Sequence, residues 1–158
     1  MPVKITLSWL ELLQAAQIGV ARRISSMKHR RNCNVHAYKS DWATDIDGAA
    51  AELAVAKHTR SWWPVDTNDF KAPDVAHYHI RSTKTVNGHL IVRNNDPASG
   101  EYVLVITNAP EFLIVGSISG EVAKQECWRN TTNSFGVESW WIPQSALQDW
   151  SSNETESA

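Results

Sequence analysis

Little in this sequence announces chemistry outright. Of 158 residues only two are cysteines, Cys33 and Cys127, and neither has a partner at C-x-x-C spacing. That argues against a structural zinc site. With no signal peptide in view, both read as reduced cytosolic thiols, and the expected location is cytoplasmic. No apolar run approaches the roughly 20 residues that a membrane-spanning helix requires, so no membrane partner is expected. Positive charge is not in excess. Fifteen Lys and Arg stand against 17 Asp and Glu, for a net charge of −2. No global basic field therefore marks a nucleic-acid binder. A Gly-rich phosphate loop is missing, since "VGSISGE" at 115–121 lacks both the lysine and the spacing. No nucleophile elbow supports Ser/His/Asp catalysis. No repeat or linker divides the chain. It reads as one domain over 1–150, with a tail at 151–158 expected to be disordered.

What is present is mostly pattern. Eight tryptophans are many for this length. Most are expected in the core or at an interface, because Trp buries a large area and needs one hydrogen-bond partner. Ser8-Trp9-Leu10-Glu11 is a capping box that opens a first helix. Leu13, Ala16, Val20, Ile24 and Met27 recur at three- and four-residue spacing, which gives that helix an apolar face. Arg22, Arg23, Lys28, Arg30 and Arg31 follow, the later ones in a polar connection over 28–44. Asp47 is the expected N-cap of a second helix over 48–59, built almost wholly from small residues. After a loop, "VAHYHIRST" alternates as a strand, and "KTVNGHLIVR" supplies another beyond an Asn-Gly turn. "YVLVIT" reads as a strand covered on both faces, and "FLIVGSIS" as the next. A short helix is expected at 120–128 and a last strand before Pro143. The order is that of an α+β fold, a mostly antiparallel central sheet with helices packed on it.

Some residues in this frame have the chemistry of a site. Glu52 shares its helical face with Gly48, Ala49, Val55 and Ala56. A carboxylate buried there needs a cation or donors, and Lys57 or an arginine would serve. Asp74 follows Pro73, which is ordinary turn chemistry. If the chain bends at Ala76 and His77, Asp74, His79 and Arg81 converge on one face, within reach of Glu52 from the helix above. His77 and His79 alternate around Tyr78. Lys84 and Arg93 suit phosphate contact or plain exposure. Trp62-Trp63 and Trp140-Trp141 suit base stacking or the core.

The helix Glu52, the Pro73-Asp74 pair and the triplet His79-Ile80-Arg81 together resemble the PD-(D/E)XK nuclease superfamily. More closely, "DGAAAELAVAKHT", "NDFKAPDVAHYHIRST" and "YVLVITNAPEFLIVGSISGEVAK" resemble phage-encoded and bacterial proteins assigned to that fold. The resemblance implies a restriction-endonuclease-like core and metal-assisted hydrolysis of DNA phosphodiesters. Glu52 and Asp74 would hold Mg or Mn. Arg81 stands where the family has Lys, and His79 where it has Asp or Glu. Arginine cannot act as a general base, so Arg81 would stabilise charge in the transition state. His79 would position a water or a metal, and suits manganese or zinc better than magnesium. Arg22, Arg23, Lys28, Arg30, Arg31 and Lys84 would hold the nucleic-acid backbone. The departures also suit a catalytically inactive relative that binds nucleic acid or protein, such as a phage factor acting on a host protein. A third reading is an assembly or interaction protein whose many tryptophans make an oligomer interface, such as that of a homodimer.

Overall fold

The computed structural model describes residues 1–29, 41–65, 72–131 and 138–150. Arg30, Arg31 and the acidic tail lie outside the described residues. After a short strand β1 (Val3–Thr6), helix α1 runs over Trp9–Lys28. Its capping box is complete: the Glu11 N–H donates to Ser8 Oγ at 3.2 Å, and the Ser8 N–H donates to Glu11 Oε2 at 2.6 Å.

The apolar face of α1 is not the face that packs. Ala15, Gly19, Arg23 and Ser26 are buried, whereas Leu13, Ile24 and Met27 are exposed. The reason is the neighbour. Helix α2 (Asp41–Thr59) carries Ala49, Ala50, Ala51, Ala54, Val55 and Ala56 in the core, a surface of small side chains. It accepts another small-residue surface at short range. At the crossing, a Cβ placed on Gly19 would lie 2.5 Å from Ile46 Cα, so only glycine fits. Helix α2 also begins well before Asp47, which corrects the expected N-cap. Asp47 instead holds Lys84, Oδ2 to Nζ at 2.8 Å.

Among the described residues five strands form the central sheet. Strand β2 (Tyr78–Thr83) runs parallel to β4 (Glu101–Asn108), and β4 is antiparallel to β5 (Glu111–Ser119). Strand β1 pairs antiparallel with the first half of β5, and β8 (Gln148–Asp149) with Gly116 and Ser117 further along it. The fold is α+β with a mixed sheet. A second, antiparallel sheet of order β3-β7-β6 is made by β3 (Leu90–Arg93), β6 (Arg129–Asn130) and β7 (Ser139–Ile142). Strand β3 therefore does not continue the central sheet from β2, although an Asn-Gly turn precedes it. Gln144 draws that turn toward the second sheet, since its Nε2 donates to the Val86 and Gly88 carbonyls at 2.7 and 3.0 Å. The expected helix at 120–128 is a single turn, α3 (Gly120–Ala123), followed by a 3₁₀ turn at Glu126–Trp128.

Two cores share the central sheet. Ile80, Val103, Val105, Phe112 and Ile114 face the helices. Tyr102, Leu104 and Ile118 face Leu90, Val92, Trp140 and Ile142 of the second sheet. The continuous apolar run in β4 follows from being covered on both sides.

Candidate functional site: a buried acidic pair

Asp74 is placed by a tight turn. The Asp74 and Val75 N–H groups donate to the Tyr78 carbonyl at 2.9 and 3.2 Å, and the Tyr78 N–H returns to Val75 O at 2.8 Å. Ala76 takes a left-handed backbone conformation, φ 52°, to make the bend. That is costly for a residue with a Cβ and is held only by its surroundings. The reversal lays Asp74 along β2, where its Oδ2 accepts the Ile80 N–H at 2.7 Å.

Glu52 reaches the same region from α2. It is 6% exposed. Arg22 of α1 grips it with two parallel hydrogen bonds, Nη1 to Oε1 at 2.7 Å and Nη2 to Oε2 at 2.8 Å. Trp63 Nε1 donates to Oε2 at 3.0 Å. The fork-on-carboxylate arrangement is the strong form of this pairing. Burial opposes the Arg22 charge, but Glu52 outweighs it and raises the Arg22 pKa. Among the described residues Asp74 has no such bidentate partner. Burial, and then the negative charge of Glu52, push its pKa up to about 6. The Ile80 N–H, Arg81 and Arg22 oppose that rise and are outweighed.

His79 and Arg81 are not brought to Glu52. Strand alternation sends Ile80 into the helix-side core, so its neighbours point to the other face of the sheet. There the His79 ring stacks on Tyr102, centroids 5.0 Å apart at 19°. Gly100 makes room for it, since a Cβ at that position would lie 2.6 Å from His79 Cδ2. Burial and then the Arg81 charge lower the His79 pKa, so the ring is neutral near pH 7. Arg81 Nη2 donates to Asp96 Oδ2 at 2.8 Å, and its guanidinium lies 5.3 Å from the Tyr102 centroid. Asp96 Oδ2 also accepts the Arg93 N–H at 2.8 Å. Burial and then Asp96 push the Tyr102 hydroxyl up to about 12. The expected four-residue convergence is thus divided by the sheet. Asp74 feels charges from both sides, Glu52 and Arg22 of the helices and Arg81 of the other face.

Of the basic residues proposed for a nucleic-acid backbone, three of the four among the described residues are engaged. Arg22 holds Glu52. Arg23 is buried, with its Nε 2.9 Å from Asp45 Oδ2, and Lys84 holds Asp47. Lys28 is exposed in the last turn of α1. His77 is exposed in the turn and packs on Tyr78, not beside the buried His79.

Sequence reasoning missed Arg22, Trp63, Asp96 and Tyr102 as parts of these clusters. Arg22 falls on the Ala15, Gly19 and Ser26 side of α1, which packs, whereas the sequence pattern pointed to the apolar side. As it stands, the site does not fit a divalent cation. Among the described residues no three His, Cys, Asp or Glu gather to ligate one. The donors are two carboxylates, and both oxygens of one are held by a guanidinium, whereas magnesium demands a near-octahedral oxygen shell. Among the described residues no helix is long and apolar enough to cross a membrane. Comparison with protein-family models, curated proteins and solved structures returns no match, so the chain's architecture and the Arg22–Glu52–Asp74 cluster stand on their own geometry.

Proposed function

We propose that this chain acts by binding a protein partner and does not turn over a substrate: an inactive relative of the nuclease architecture that its sequence resembles. One observation carries the reading. The Glu52 carboxylate, which a metal-dependent mechanism would need, is closed by Arg22 and Trp63. Freeing it for a metal would strand a partly buried guanidinium, at a cost on the order of 3 kcal/mol. Arg81 is likewise committed to Asp96. The surface supports a protein partner over a nucleic acid. Arg22, Arg23 and Lys84 are paired with carboxylates, while Trp9, Trp42, Trp62 and Trp141 remain exposed. Tryptophan is a characteristic anchor of protein interfaces.

A second reading is favoured by Asp74. A carboxyl pushed up to about 6 by burial and by Glu52 is one that a bound cation would relieve. Metal-dependent hydrolysis of DNA would then require Arg22 to release Glu52, so that Asp74 and Glu52 together could hold Mg or Mn. A cleavage assay on plasmid and single-stranded DNA, with magnesium and then manganese, decides between them. The folded protein is expected to leave both substrates intact. Cleavage that vanishes in Asp74→Ala would overturn the binding reading and establish the nuclease.

A further inference from the structure

The fold leaves the outer face of α1 without a partner among the described residues. Trp9, Leu13, Ile24 and Met27 are 77, 55, 52 and 57% exposed. Ala16 and Val20 lie half-buried between them. The six positions are spaced four, three, four, four and three, the seam of a coiled-coil contact. They fall on one side of the helix, about 100° from the side that packs on α2, at 100° per residue. Residues 12–21 contain no charged side chain, although a fifth of the chain is charged. A solvated helix face is normally polar.

The order of side-chain sizes identifies the occupant. Read from either end, the seam runs large, large, small, small, large, large: Trp9, Leu13, Ala16, Val20, Ile24, Met27. A seam that reads alike in both directions complements itself when one copy is turned end for end. We infer that the protein forms a two-fold dimer in which α1 pairs antiparallel with α1 of a second copy. Trp9 then meets Met27 of the other copy, Leu13 meets Ile24, and Ala16 meets Val20 at the point of closest approach. Small residues at that point let the helix axes come within about 8–10 Å. Antiparallel pairing also sets each positive helix N-terminus beside a negative C-terminus. The exposed apolar area on the seam is on the order of 500 Å² per copy. The pair would bury on the order of 1,000 Å², the floor for a specific interface, so the expected affinity is on the order of micromolar. The inference stands whether or not the acidic pair hydrolyses anything.

Sedimentation equilibrium over about 1 to 500 µM, bracketing that affinity, tests it. The wild-type chain is expected to pass from monomer to dimer across this range. Leu13→Glu with Ile24→Glu is expected to stay monomeric throughout, with unchanged circular dichroism, and with unchanged melting at concentrations where the wild type is monomeric. A cross-link supplies the orientation. In a Cys33→Ser, Cys127→Ser background, Trp9→Cys with Met27→Cys is expected to form a disulfide-linked dimer on oxidation. Met27→Cys alone is not, because those positions lie about 27 Å apart in an antiparallel pair. A wild-type chain that remains monomeric would overturn the proposal and leave the face to a different protein. So would a dimer that survives the two glutamates, or efficient cross-linking through Met27→Cys alone.

Discussion

Asp74 is held in an environment that disfavours its own charge. Its neighbour Glu52 has a guanidinium and an indole N–H, whereas Asp74 has one backbone N–H and a like charge nearby. Its pKa rises from 3.8 to about 6 on folding. A raised carboxyl pKa adds stability that is fully present below the unfolded value and is lost as pH climbs through the folded one. Between about pH 4 and pH 8 the wild-type chain should therefore lose on the order of 2 kcal/mol through this group. Asp74→Asn keeps an acceptor for the Ile80 N–H and carries no charge. It should be more stable than wild type at pH 8, with the gain disappearing near pH 4. Urea denaturation of both proteins at the two pH values measures this, and an equal difference at both would refute it. At this scale the sequence was half legible. That Glu52 on a face of alanines needs a cation follows from its neighbours. Which cation answers does not, because Arg22 sits in another helix and reads equally well as a surface base.

Helix α1 shows how an element can be placed correctly and oriented unexpectedly. Its start was legible in Ser8 and Glu11, and its apolar stripe in the spacing of Leu13 to Met27. Periodicity reports that a helix has an apolar side; it does not say what covers it. Here Gly19 decides the packing, because α2 approaches too closely for any side chain at that point. Gly19→Ala would favour the isolated helix by about 1 kcal/mol. In the folded protein it should instead destabilise by about 1–3 kcal/mol, since the backbone of Ile46 cannot recede without moving α2. Chemical denaturation would read the sign, and a stabilised variant would show that the crossing can accommodate a methyl group at Gly19. The same limit applies to β2 and β3. Both were legible as strands, yet the turn between them does not pair them, because Gln144, more than 50 residues away, holds that turn from the second sheet. Strand β1, four residues long, was too short to leave a pattern.

The whole molecule is organised around β4, whose alternate residues serve different cores. Val103 and Val105 close the helix-side core, and Leu104 closes the one beneath the second sheet. The class of fold was legible from the order of helices and strands, but this division was not, since a run buried on both faces carries no alternation to read. One consequence concerns cooperativity. The two cores touch the same strand, and β4 lies hydrogen-bonded between β2 and β5. Losing either core exposes one whole face of β4 and β5, and a sheet bare on one apolar face is not expected to persist alone. The two layers should therefore unfold together. Val103→Ala weakens only the helix side and should cost about 1–3 kcal/mol; Leu104→Ala weakens only the second-sheet side and should cost about 2–5 kcal/mol. Each should move one shared transition, followed at once by far-ultraviolet circular dichroism, which reports α1 and α2, and by tryptophan fluorescence, to which the buried Trp140 of the second sheet contributes. Coincident midpoints in both variants would show that β4 transmits the loss from one face to the other. If Leu104→Ala shifted the fluorescence transition and left the helical signal in place, the second sheet would be a separate unit resting on the first, and the placement of Arg81 with Asp96 beneath it would be independent of Glu52 and Arg22 above.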